Sequence, residues 1–183
     1  MSSVFEYLAP ILSVWHLTRA AGLVAYGLLF TAVMTGILQS MRILPLPLRP
    51  ALAAIHNAAS WFGLMFALLH GCVLLFDDYV TYTAWEIAVP FLSDHESVKE
   101  AAGILSFYLF FLLILSSDLQ KKIGRRAWRL IHYGAFLAYA LALTHGVILG
   151  TDTNALWMQI VYSGTAAITA CLLALRILLG IAR

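Results

Sequence analysis

Five apolar runs constrain this chain more than any other feature: residues 17–38, 51–76, 101–117, 128–150 and 155–179. A helix rises about 1.5 Å per residue, so about 20 apolar residues cross a hydrocarbon core about 30 Å thick. The 101–117 run is the shortest of the five. Inside lipid every backbone amide and carbonyl must be bonded within the chain, which makes such runs helices. The expectation is an all-α integral membrane protein, one domain over residues 1–183, folded as a five-helix transmembrane bundle. Composition agrees. The chain is 62% hydrophobic and 11% charged, with a mean hydropathy of +0.90. Soluble domains carry about a quarter charged residues. There is no G-x-G-x-x-G or P-loop run, so a nucleotide-binding fold is excluded. Lipid is the expected surrounding, and nucleic acid is not an expected partner.

Charge orients the bundle. The loops after the first and third runs carry Arg42, Arg49, Lys121, Lys122, Arg125 and Arg126, and the C-terminal end adds Arg176 and Arg183. Most of the acid lies in the 77–100 loop, in Asp77, Asp78, Glu86, Asp94, Glu96 and Glu100. By the positive-inside bias the N-terminus is outside and the C-terminus cytoplasmic. The aromatics of the acidic loop (Tyr79, Tyr82, Trp85, Phe91) suggest a cap on the membrane surface. Residues 4–15 read as an interfacial segment, and Met1–His16 lacks the features of a signal peptide. The prolines of the 39–50 loop are expected to keep it from being helical.

Four histidines stand inside two of the runs. His56 and His70 are fourteen residues apart, and His132 and His145 thirteen apart. Along a helix these separations are roughly 21 Å and 20 Å. Each run therefore offers one imidazole towards each leaflet. The two runs point the same way, so His56 is level with His132 and His70 with His145. An ionisable group in a span marks function by default, because lipid gives it no partner. Two facing imidazoles suit the two axial positions of haem iron. Fourteen residues return a helix to within about 40° of its starting face, but thirteen leave it about 140° away. Either the fourth helix is distorted, at Gly134 or by a π-turn, or the two clefts are oriented differently. His16 and His95 read as ordinary interfacial and loop residues. Cys72 and Cys171 make no C-x-x-C pattern, which excludes a zinc site and c-type haem attachment. They read as small packing residues.

The run Trp128-Arg129-Leu130-Ile131-His132-Tyr133, followed by Thr144-His145-Gly146, with Ile55-His56 and Leu69-His70-Gly71 upstream, resembles the ferric reductase-like transmembrane domain superfamily. That superfamily includes ferric reductases, NADPH oxidases and the haem subunit of the bacterial methionine sulfoxide reductase system. The segment Leu17–Tyr26 and the Gly150-Thr151-Asp152 turn resemble its short stand-alone bacterial members, which implies a bacterial plasma (inner) membrane. The resemblance implies two haems b, an inner one on His56 and His132 and an outer one on His70 and His145. It also matches Arg19 to a basic residue near the outer haem in the oxidases. Arg19 can pair there with a haem propionate or an anionic acceptor, or it can snorkel to the outer headgroups.

The function so implied is transmembrane electron transfer from a cytoplasmic or membrane donor to an acceptor at the outer face. The chain would be the membrane subunit of an oxidoreductase without its own flavin or NAD(P)H module. Its donor would be a flavoprotein, a ferredoxin-like protein or quinol. Two other readings stay open: an accessory haem-bearing subunit of a larger membrane complex, and a haem-free proton or metal transporter using the histidines.

Overall fold

The computed structural model describes residues 13–77 and 80–181. Among them are eight α-helices and no strand: α1 (Val14–Met41), α2 (Arg49–Val73), α3 (Ala84–Ala88), α4 (Ser97–Asp118), α5 (Gln120–Ile123), α6 (Arg125–His132), α7 (Gly134–Leu149) and α8 (Leu156–Ile181). Single 3-10 turns, Leu46–Leu48 and Leu74–Phe76, flank α2. Five helical segments are long and apolar enough to cross a membrane, with α6 and α7 together making the fourth. Most of residues 4–15 fall outside the described part, as do Asp78, Tyr79 and Arg183.

The helix ends follow local chemistry. Ser13 caps α1, its hydroxyl accepting the His16 amide at 3.4 Å. Pro50 does not keep the 39–50 loop open to its end. It sits in the first turn of α2, where its missing amide costs nothing. The third run is longer than the sequence suggested, because α4 begins at Ser97, inside the acidic loop. That loop does contain structure. Thr83 and Glu86 form a reciprocal capping box on α3. The Thr83 hydroxyl and amide both donate to the Glu86 carboxylate, at 2.7 and 2.8 Å. These bonds hold the Glu86 carboxyl below its usual range. The cap is therefore intact at neutral pH and is lost as pH falls through that lowered value.

α1 lies at the centre. It contributes Tyr26, Leu29, Val33, Ile37 and Met41 to the core, at the three- and four-residue spacing of one helical face. Leu64 of α2, Phe110 and Ile114 of α4, Tyr139 of α7, and Met158 and Tyr162 of α8 complete it. Large apolar side chains also point outward, among them Leu130, Leu137, Ile160 and Leu178. Cys72 and Cys171 are free thiols on exposed faces and are not packed in the core.

The helices pack as pairs. α2 lies along α1, and α7 along α4, but α2 and α7 are not closely packed on each other. Ser106 of α4 ties the second pair together by donating to the Ala138 carbonyl of α7 at 2.8 Å, and Ala138 is 0% exposed. Ser106→Ala is expected to cost about 1 kcal/mol, read as a lower thermal midpoint in detergent.

Candidate functional site

The four histidines meet in two pairs, His56 of α2 with His132 of α6 and His70 of α2 with His145 of α7. The ring centres of His56 and His132 are 6.2 Å apart, and those of His70 and His145 are 6.3 Å apart. An N–H···N hydrogen bond of about 3 Å would bring two such centres to about 5.3 Å. A metal bonded in line to both facing nitrogens, at about 2.0 Å each and with about 1.2 Å from nitrogen to ring centre, needs about 6.4 Å. Both pairs thus stand too far apart for a direct bond and at the separation an intervening metal would set.

Three of the four rings are clamped alike. His56 donates from Nδ1 to the Ala32 carbonyl at 2.8 Å, and His70 to the Thr18 carbonyl at 2.8 Å. His145 donates to the Lys99 carbonyl at 3.1 Å. A ring that donates from Nδ1 keeps Nε2 as its free lone pair. Such a second-shell bond is the usual way a ligating imidazole is oriented. Four residues beyond each accepting carbonyl stands a glycine: Gly36, Gly22 and Gly103. A Cβ at Gly36 would meet the His56 ring at 3.3 Å, one at Gly22 the His70 ring at 3.0 Å, and one at Gly103 the His145 ring at 2.8 Å. The helix amide four residues on already uses that carbonyl, and only a residue without a side chain lets an imidazole reach it too.

Sequence reasoning misses these glycines, although a signal is present. Gly22 and Gly36 are fourteen residues apart, as are His56 and His70. On antiparallel neighbours, equal spacings put each histidine opposite a glycine.

His132 differs. Its Nδ1 is buried and has no hydrogen-bond partner. Among the described residues, no glycine comes against its ring as Gly22, Gly36 and Gly103 do against the other three. Trp128 supports His132 instead, its ring stacked on the imidazole with centres 4.8 Å apart and planes 30° apart. The indole N–H donates to Ser117 at 3.1 Å.

The run that carries His132 and His145 is not one continuous helix. The helix is interrupted at Tyr133, one residue past His132. The Phe136 amide bonds the Tyr133 carbonyl at 3.3 Å, three residues back, so the chain is wound tighter there and not looser as in a π-turn. α6 and α7 then aim their histidines independently, and both face α2.

A cavity of about 810 Å³ opens at the His70–His145 pair. Thr18, Arg19, Tyr82 and Glu100 also line it, while His56 and His132 are not among its walls. Two buried oxygens in that wall, Thr18 Oγ1 and Glu100 Oε2, have no partner. Tyr82 donates to the other Glu100 oxygen at 2.7 Å. Burial first, and that bond second, push the Tyr82 hydroxyl above its ordinary pKa.

Arg19 pairs with Asp152 in the turn between α7 and α8. Its guanidinium lies 5.0 Å from the Trp15 ring centre. Its side chain is 32% exposed and lies on the wall of the cavity. His16 stands apart from the pairs, and His95 belongs to neither but lines the cavity at His70 and His145. His16 bonds Ser13 at 2.6 Å, and His95 lies edge-on to Tyr82 with ring centres 5.4 Å apart.

Among the described residues, no group of three or more His, Cys, Asp or Glu is placed to hold a metal ion. Each histidine pair offers at most two imidazole ligands, with ring centres 6.2 and 6.3 Å apart. Such a site suits a metal whose remaining ligands come with it, as in a porphyrin.

Comparison with curated proteins finds no match. A family described as a domain of unknown function (DUF8596) matches residues 13–152, a stretch that takes in both histidine pairs, the three clamping glycines, Arg19 and Asp152, and the chain belongs to that family.

Proposed function

We propose that this chain crosses a membrane five times, holds two haems b and carries electrons from one face to the other. The observation that carries this reading is the twofold repeat of opposed imidazoles at 6.2 and 6.3 Å. Three of the four rings have the tautomer fixed by a backbone carbonyl, which leaves Nε2 to bind iron. His56 with His132, and His70 with His145, would hold the two haems, and the bound groups would supply one-electron redox chemistry. Two such groups stacked through the bundle make a relay, in which the protein supplies ligation, orientation and a dry path.

The orientation follows from charge. The end carrying Arg42, Arg49 and the 121–126 cations is cytoplasmic, and the acidic 77–100 loop is outside. In this reading His56 and His132 would hold the haem on the entry side, and His70 and His145 the haem on the exit side. The donor is a separate redox protein or quinol, and the acceptor meets the outer haem through the 77–100 cap. Arg19 and Thr18 line the outer cavity and are placed to meet the carboxylates of a haem seated there. The membrane is a bacterial plasma membrane in this reading.

Pyridine haemochromogen quantification tests it. Two haems b per chain are expected, with a reduced b-type band. A colourless protein, purified after expression with ample haem, overturns the proposal and leaves the histidines to a haem-free transport role.

A further inference from the structure

We propose that the basic surface formed by Lys121, Lys122, Arg125, Arg126 and Arg129 is the docking site of an acidic electron-donor protein, and that Trp128 is the contact through which its electron reaches the metal between His56 and His132. The inference rests on the di-haem reading above and adds the partner's chemistry and its point of contact.

The surface is built by one turn. Gly124 takes φ +83, a conformation that costs a side-chain-bearing residue dearly, and it joins α5 to α6 at the end of the bundle nearest His132. Five cations then fall within nine residues, all of them exposed. Among the described residues, none of the five forms an ion pair. Arg49, at the same end, is already used. It donates to the carbonyls of Leu44 and Arg42, both at 3.2 Å, and so closes its own loop.

α6 has two faces. Arg125, Arg126 and Arg129 are exposed, while Trp128, Ile131 and His132 are half-buried. Trp128 joins the faces. Its indole is pinned to Ser117 at 3.1 Å and stacked on His132 at 4.8 Å. This is the one ligating ring without a carbonyl clamp, and an indole set among surface cations takes the clamp's place. Cations that only anchor the chain to anionic headgroups would serve anywhere around the rim. Here they flank the one residue that links the surface to a ligand. Unpaired positive charge steers an acidic partner to that spot and sets its orientation. In the step itself one electron leaves the reduced flavin or iron–sulfur centre of the donor. A haem held by His56 and His132 would be the acceptor, with no bond or proton exchanged.

The test uses the haem-loaded protein in discs of uncharged phosphatidylcholine. An acidic flavodoxin is the probe donor, and photogenerated deazariboflavin radical is a small uncharged one. Binding of oxidised flavodoxin is read by surface plasmon resonance, and haem reduction by the b-type band in stopped flow. The paired substitutions Lys121→Gln with Lys122→Gln, and Arg125→Gln with Arg126→Gln, should each weaken flavodoxin binding about tenfold at low salt. The ratio of flavodoxin rate to deazariboflavin rate should fall by about as much, and the unaltered protein's flavodoxin rate should drop as salt rises. Trp128→Leu should keep binding and lower that ratio about tenfold, whereas Trp128→Phe, which keeps a ring over His132, should restore most of it. The proposal is overturned if the charge variants bind and accept electrons as before. It is equally overturned if both donors slow alike, or if the charges matter only when anionic lipid is added. A haem-loaded protein indifferent to charge defeats the docking surface alone. A haem-free protein that still binds flavodoxin through these cations defeats the di-haem reading instead.

Discussion

Replacing His70 with alanine is expected to leave one haem b per chain where the unaltered protein, on the proposed reading, holds two. The substitution removes one axial ligand of the outer pair and leaves His145 clamped to Lys99 with nothing opposite. The fold should tolerate the loss. The Thr18 carbonyl gives up a donor but keeps its own helix amide, and the space already adjoins a cavity of about 810 Å³. The pairing predicts which haem goes. The remaining one sits between His56 and His132 and should still be reduced from the basic end. His56→Ala should give the mirror result, with the surviving haem reached from the acidic end. Haemochromogen stoichiometry and the amplitude of the reduced b-type band measure both. Loss of both haems from His70→Ala, or loss of the one reduced from the basic end, would show that the rings are not partnered as the geometry has them.

The second large effect needs no change to any ligand. Gly103→Ala is expected to empty the outer site while leaving the helix more stable. An added Cβ would lie 2.8 Å from two atoms of the His145 ring, closer than real contacts allow. The ring must then leave the Lys99 carbonyl. Losing a second-shell partner of this kind typically costs about 10–100-fold in metal affinity. Alanine is meanwhile favoured over glycine in a helix by about 0.8–1.0 kcal/mol. Haem content should therefore fall while the thermal midpoint of the haem-free protein rises, which a merely damaged protein would not show. Gly27→Ala is the control, because a Cβ there meets nothing within 4 Å. If Gly103→Ala retains two haems with an unchanged spectrum, the glycine cradle is only a packing feature.

The bundle was legible because its signals are local. Lipid allows only helices or closed barrels, so five long apolar runs read as five helices, and the observed segments differ from those runs by a few residues at most ends. The histidine levels were legible for the same reason: rise per residue is a constant, and spacing converts to depth. Facing was not. Thirteen residues on a straight helix put His132 and His145 on opposing sides, and although Gly134 marked where the helix is interrupted, nothing in residues 128–150 said whether the turn there is tight or wide. The fate of Arg19 was also hidden, since Asp152 lies 133 positions away and comes near only through the turn after α7.

What the sequence determined by itself is therefore everything that depends on one helix at a time: how many there are, how deep each imidazole lies, and which end carries the positive charge. What only the tertiary structure decided depends on two helices at once. It set α2 apart from α6 and α7 so that their rings stand about 6 Å from one another. It laid Gly22, Gly36 and Gly103 beneath three of those rings and put Trp128 against the fourth. The physical reason is that an imidazole can share a helix carbonyl only where the neighbouring backbone comes within contact distance. That approach is a property of the packed pair and of neither stretch of sequence alone.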